Sequence, residues 1–196
     1  MKNKLPMFLI GGFTILIIAG LAWLSSSQPS SPVPPGQQKP KPPIKVGQSA
    51  PNFKLQGIDK KTYNLADYKG QKAVFVELFA IWCPHCQAEA PRIDSIYSKY
   101  KEKGVAFFDI QASPYGKDYE TTHDTSAASI EDFNFFKNTF HVTFPILQDQ
   151  NSTTATNYGL TSYPTFYIID KSGKVTYTNT GEVSPDELSS EIEKVL

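Results

Sequence analysis

The sequence predicts an α/β domain with a central mixed β-sheet covered by helices on both faces, preceded by one apolar helix and a proline-rich tether. Three observations carry that prediction. The run Ala73-Val74-Phe75-Val76-Glu77-Leu78-Phe79 is apolar but for one acid, the pattern of a buried central strand. Helix-like and strand-like periodicities then alternate along the chain. The sequence closes on a hairpin signal followed by a capped helix.

The elements follow in order. Residues 5–24 form a twenty-residue stretch without a charge, long enough to cross ~30 Å of hydrocarbon as a helix. Lys2 and Lys4 precede it, so the positive-inside rule places residues 1–4 in the cytoplasm and everything after Leu24 outside. The alternative is a cleaved signal peptide, since Ser25, Ser26 and Ser27 are small. An uncleaved signal-anchor is favoured by the length of the apolar run and by the bulky Trp23-Leu24 before any cut. No cysteine follows the segment, which excludes a lipoprotein anchor. Residues 25–45 carry seven prolines and predict an extended, semi-rigid linker rather than helix or sheet.

Residues 46–196 are assigned to the globular domain. After the strand at 73–79, residues 87–103 read as a helix, with Ile93, Ile96, Tyr97 and Tyr100 at three- and four-residue spacing and Gly104 closing it. Residues 105–110 read as a second strand and 112–129 as a long polar loop. Residues 130–140 form a helix with Phe133, Phe136 and Phe140 on one face, and 143–147 a short extended piece. Residues 164–170 and 175–179 make a hairpin across Lys171-Ser172-Gly173-Lys174. Ser184-Pro185-Asp186-Glu187 opens the last helix with a capping box.

Composition narrows the function. A hydrophobic share of 40% and an aromatic share of 13% suit a packed core. The formal net charge is zero, yet residues 1–44 carry four lysines and no acid, leaving the remainder at −4. A mildly acidic domain without a basic run offers no footprint for nucleic acid.

The two cysteines of the chain stand in Trp82-Cys83-Pro84-His85-Cys86. A bridge closing so short a loop stabilises little, so the pair reads as chemical rather than structural. Where a strand ends and a helix begins, free backbone N–H groups and the helix dipole favour a thiolate at Cys83. Cys86, about one turn on, is placed to resolve a mixed disulfide, with Cys83 expected to be the more exposed thiol. A protonated His85 further favours the Cys83 thiolate and argues for a less reducing potential. Zinc would need four ligands, and His85, His123 and His141 supply no second pair. His123 and His141 read as surface residues. Trp82, beside the nucleophile, would shield the disulfide and offer an apolar contact.

Phe79-Ala80-Ile81-Trp82-Cys83-Pro84-His85-Cys86, with Ser162-Tyr163-Pro164-Thr165-Phe166 and Asp170-Lys171-Ser172-Gly173, resembles the thioredoxin superfamily, and more closely its membrane-tethered TlpA/ResA-like disulfide reductases. The resemblance runs from about Val46 to Leu196. It implies a thioredoxin-like three-layer fold, a cis Pro164 facing the cysteines, and backbone contacts from Tyr163 to a substrate strand. Trp82, Pro84 and His85 would line the same substrate surface. Glu77 lies six residues before Cys83, where thioredoxins carry a buried aspartate that handles the resolving thiol's proton. Glu89, three residues after Cys86, matches a glutamate near the active site of the ResA-like branch. The alternatives are a solvent-facing acid at a strand end and an ordinary exposed helix residue, respectively. A buried acid without a use is costly, which favours a role for Glu77.

The resemblance further implies thiol–disulfide exchange with client proteins and no cofactor. Apocytochrome c is the usual reductive target, with electrons supplied by an integral-membrane redox partner. Pro84-His85 departs from that branch and resembles the dipeptide of oxidising DsbA-like proteins, whose large helical insertion is missing here. Two other classes are weighed. A peroxiredoxin-type peroxidase wants a hydroxyl residue where Ala80 stands, and Sco-like copper carriers space their cysteines one residue wider.

Overall fold

The structure, a computed structural model, describes residues 41–196. The expected membrane helix at 5–24 and most of the linker lie outside the described residues. Among the described residues no helix is long and apolar enough to cross a membrane.

Seven strands form one sheet: β1 (Lys54–Gly57), β2 (Thr62–Asn64), β3 (Ala73–Phe79), β4 (Val105–Gln111), β5 (Ile146–Gln148), β6 (Thr165–Ile169) and β7 (Val175–Thr180). Their spatial order is β2-β1-β5-β4-β3-β6-β7. Strand β3 lies inside the sheet, parallel to β4 and antiparallel to β6. The helices are α1 (Pro84–Tyr100), α2 (Tyr119–Thr122), α3 (Ile130–Thr139), α4 (Thr153–Tyr158) and α5 (Pro185–Glu193).

The strand period of two sorts side chains into two cores. Phe75 and Phe79 of β3, Phe107 of β4 and Phe166 of β6 pack under Ile93, Ile96, Phe133, Phe136, Leu188 and Ile192 of α1, α3 and α5. The intervening Val74, Val76, Leu78, Phe108, Ile110 and Tyr167 form the second core with Phe53, Leu65, Leu147 and Tyr158. A three-layer α/β fold results, as expected. Glu77 and Asp109 share the parity of Phe75 and Phe107, so both carboxyl groups enter the first core, the one roofed by α1.

Several local readings are corrected. Helix α1 starts at Pro84, not at 87, because proline is well placed at the first helical position and Cys83 takes the cap conformation, φ −75° and ψ 120°. The residues before β3 hold a hairpin, β1–β2, whose strands are too short to show periodicity. The 112–129 segment contains α2 and an isolated bridge between Tyr115 and Ala127. Helix α4 within 149–159 is polar and carries no apolar stripe. At α5, Ser184 Oγ accepts from the Glu187 N–H at 3.1 Å, but the Glu187 carboxylate turns away to accept from the Tyr177 hydroxyl at 2.9 Å. The reciprocal capping box sits instead at α3, between Ser129 and Asp132.

The last residues of the linker are seated on the domain. The Ile44 N–H donates to the Tyr158 carbonyl at 3.2 Å, and Lys41 Nζ to Asn157 Oδ1 at 2.7 Å. Gly159, at φ +64°, lies against the Pro42 carbonyl so closely that a Cβ would overlap it.

Candidate active site

The redox motif sits where β3 ends and α1 begins. Its turn is clamped from two sides. Gln111 Oε1, from the end of β4, accepts the Ile81 N–H at 2.9 Å, and Gln87 Nε2 donates to the Ile81 carbonyl at 2.9 Å. The Cys83 N–H donates to the Ala80 carbonyl at 3.0 Å. These bonds hold Cys83 at the N-terminus of α1, where it caps the helix without a side-chain hydrogen bond of the usual oxygen type.

Both cysteines are free thiols, Cys83 5% exposed and Cys86 fully buried. The order is the expected one, though Cys83 is more enclosed than its role as the exposed thiol suggested. A hydrogen bond from the Cys86 thiol, with backbone N–H groups of Cys86 and His85 and the nearby His85 charge, lowers the Cys83 pKa to about 6 against the cost of burial. Burial drives the Cys86 thiol strongly upward, helped by its bond to Cys83 and the negative field of Glu77. One helix start therefore supplies a ready nucleophile and a protonated partner.

Facing them, the Tyr163–Pro164 peptide is cis, as the resemblance implied, and Cys83 Sγ lies 3.9 Å from the Tyr163 carbonyl oxygen. Trp82 packs edge-on against Tyr163, ring centres 5.7 Å apart, and against Tyr119 at 5.0 Å. Its indole N–H donates to Ser113 Oγ at 2.9 Å. Tyr115 stacks on Tyr119 at 4.4 Å, so the long loop contributes an aromatic wall beside the motif. Pro84 and His85 are exposed on the rim, while Pro164 is buried.

Of the two candidate acids, Glu77 is 1% exposed and lies below the cysteines. Burial, the Asp109 carboxyl and the charges of Glu89 and Cys83 hold its pKa well above the carboxylate range. The reading of Glu89 as an ordinary exposed helix residue is overturned, because Glu89 is fully buried. Its Oε1 accepts from Arg92 Nη1 at 2.7 Å, and burial raises its pKa despite that cation.

The structure adds residues that the sequence did not single out. Asp109, from β4, stands opposite Glu77 in the parallel register and is 1% exposed. Glu182 Oε1 binds His85 Nδ1 at 2.7 Å, and its Oε2 lies 3.5 Å from Arg92 Nη1. The Glu182 contact raises the His85 pKa. An acid inside the apolar run 105–110 was a visible signal for Asp109. Glu182 had none, since only tertiary folding brings it to a histidine 97 positions away. His123 and His141 lie exposed on the surface.

The Redoxin family profile matches residues 45–196. The thiol-disulfide oxidoreductase ResA of Bacillus thuringiensis subsp. konkukian is 32% identical over 152 residues, covering 78% of this chain and 79% of that one. A putative thiol:disulfide interchange protein DsbE from Chlorobium tepidum superposes with a TM-score of 0.63 at 24% identity, over 78% of this chain and 98% of its own, which establishes the fold. The exposed lipoprotein thioredoxin Etrx1 of Streptococcus pneumoniae superposes at 0.58 with 30% identity, over 74% of this chain and 99% of its own. With a strand-to-helix cysteine pair facing a cis-proline loop, and with these relatives, the chain belongs to the Redoxin family and is a TlpA/ResA-like thiol–disulfide oxidoreductase of the thioredoxin superfamily.

Proposed function

We propose that this protein exchanges disulfides with client proteins outside the cytoplasm through Cys83 and Cys86, held at the membrane by residues 5–24 and spaced from it by residues 25–45. Cleavage after the apolar segment would give the same domain in secreted form. The observation that carries the reading is the asymmetry of the pair: Cys83 caps the helix facing the cis Tyr163–Pro164 peptide, with its pKa lowered, and Cys86 is fully buried behind it, with its thiol pushed upward. In the reducing direction the Cys83 thiolate attacks a client disulfide sulfur, and the other client sulfur leaves as a thiolate. Cys86 then gives up its proton to a buried carboxylate and attacks Cys83 Sγ. The second client thiolate departs, leaving the Cys83–Cys86 disulfide. The Tyr163 carbonyl and the Trp82 ring would align the client strand. Apocytochrome c or other exported proteins are the proposed clients, with an integral-membrane partner restoring the dithiol.

A second reading, oxidation of secreted proteins, is favoured by one feature. His85 lies beside Cys83, and its contact with Glu182 raises its pKa, which favours the cation that stabilises the reduced thiolate form.

Trapping tests the roles. Cys86→Ser should leave client proteins linked to Cys83 as mixed disulfides, visible as adducts on non-reducing gels and identifiable by mass. Equal trapping by Cys83→Ser would overturn the assignment.

A further inference from the structure

The core that holds Cys86 contains two neighbouring buried carboxyl groups where one would be enough to take its proton. Glu77 and Asp109 are direct partners across the β3–β4 ladder, their side chains enter the same core, and each is 1% exposed. A hydrogen bond between two neighbouring carboxyl groups forms only when one of them carries a proton. Neither forms a salt bridge among the described residues; the nearby Arg92 is bound to Glu89. The flanking strands present Phe166 and Ile146 in register, and α3 presents Phe133 and Phe136. Helix α1 contributes Glu89 and the neighbouring Cys83 and Cys86 toward Glu77, and Asp94 toward Asp109. Asp94 is itself bound by the Thr143 N–H and hydroxyl at 2.7 and 2.8 Å. Asp109 Oδ1 is buried and has no hydrogen-bond partner among the described residues. Two full charges side by side in this apolar layer would repel strongly, and a lone carboxylate would have no donor to stabilise it.

We propose that Asp109 and Glu77 share one proton as a single buried monoanion, and that Asp109 is the positioning residue that keeps Glu77 a competent base for Cys86. The step balances within the protein. The Cys86 thiol gives its proton to the shared pair, which becomes neutral, and the Cys86 thiolate attacks Cys83 Sγ of the mixed disulfide. The Cys83–Cys86 bond forms, the Cys83–client bond breaks, and the client sulfur leaves with the electron pair. The proton then leaves the pair when Cys86 is next reduced or through solvent at the mouth. The inference rests on the exchange reading above, and its failure is separable from failure of that reading.

The experiment forms the Cys83 mixed disulfide with a small aromatic disulfide on the full chain and follows release of the aromatic thiolate across pH, in the native protein, Asp109→Asn and Glu77→Gln. The amide introduced by Asp109→Asn can donate to the Glu77 carboxylate and make it a weaker base. In that variant the rising limb of the rate profile should therefore move to lower pH and its plateau fall by roughly tenfold or more; Glu77→Gln should lose about 100-fold. Infrared spectroscopy of the reduced Glu89→Gln protein, in which the third carboxyl of this region is removed, should show one protonated buried carboxyl at neutral pH. Zero or two such protons, or an Asp109→Asn profile superimposable on the native one, overturns the shared proton. Failure of Cys83 to form the mixed disulfide at all would instead overturn the exchange reading.

Discussion

The Cys83 thiol has a pKa of about 6 although only 5% of the residue is exposed, so its neighbours and not water make it a thiolate. The Cys86 thiol and two backbone N–H groups do most of this, and His85 adds its charge from the rim. Glu182 in turn raises the His85 pKa, its own lowered by the same contact. Glu182→Gln should therefore lower the His85 pKa, read from the imidazole proton shifts by NMR, and raise the midpoint at which Cys83 thiolate absorbance appears. An unmoved His85 titration would mean that the 2.7 Å contact does not persist in solution. The same logic sets the sign for stability at Glu77. Its folded pKa is raised, so the unfolded chain releases the proton first as pH rises. Stability attributable to the protonated form is complete below the ordinary glutamate pKa and declines above it. Glu77→Gln should then stabilise the protein by ~1–3 kcal/mol at alkaline pH and little in acid, measured by denaturant unfolding across pH.

At the scale of elements, the site depends on where β3 and β4 stop. Their parallel register runs from Ala73 opposite Val105 to Phe79 opposite Gln111, which brings the Gln111 amide to the turn that carries Cys83. The segment 112–129 then folds back through Tyr115 and Tyr119 to back Trp82. On the other core, the seat of the linker uses the end of α4. Gly159 is left-handed and abuts Pro42, so Gly159→Ala has two costs, about 1 kcal/mol of backbone strain and loss of the close approach. Trypsin should cut after Lys45 several-fold faster in that variant, with the domain still folded. Unchanged cutting would show that the linker end is not held there.

For the molecule as a whole, the fold leaves one thiol barely reachable at the helix start and buries its partner completely. A thiolate with a pKa near 6 outnumbers its thiol by about tenfold at about pH 7, which favours the reduced form by at most about 1.4 kcal/mol, or ~30 mV, because solvent at the mouth screens part of the field. Equilibration with glutathione buffers should accordingly give a potential less reducing than the roughly −270 mV of thioredoxin. A value at or below that figure would remove the oxidising reading and leave reduction of client disulfides.

The cis Pro164 was implied by the family resemblance; the redox motif, the central strand and the closing hairpin and helix were legible in the sequence itself. Each is local, a short spacing or a period that neighbouring residues impose on themselves. Residues 46–196 also carried enough apolar pattern to predict the three layers. Elements with little apolar surface of their own, the β1–β2 hairpin, α2 and α4, were not legible, because their register comes from what they pack against. The site divides in the same way. Cys83, Cys86 and Trp82 could be named from their neighbours in sequence, Pro164 from the family resemblance, and the suspicion about Glu77 followed from that resemblance and from an acid in an apolar strand. Asp109 beside Glu77, Glu182 on His85, the burial of Glu89 and the enclosure of Cys83 were decided by tertiary structure alone. Charges act through space in a low-dielectric interior, and sequence spacing does not report which of them the fold brings together.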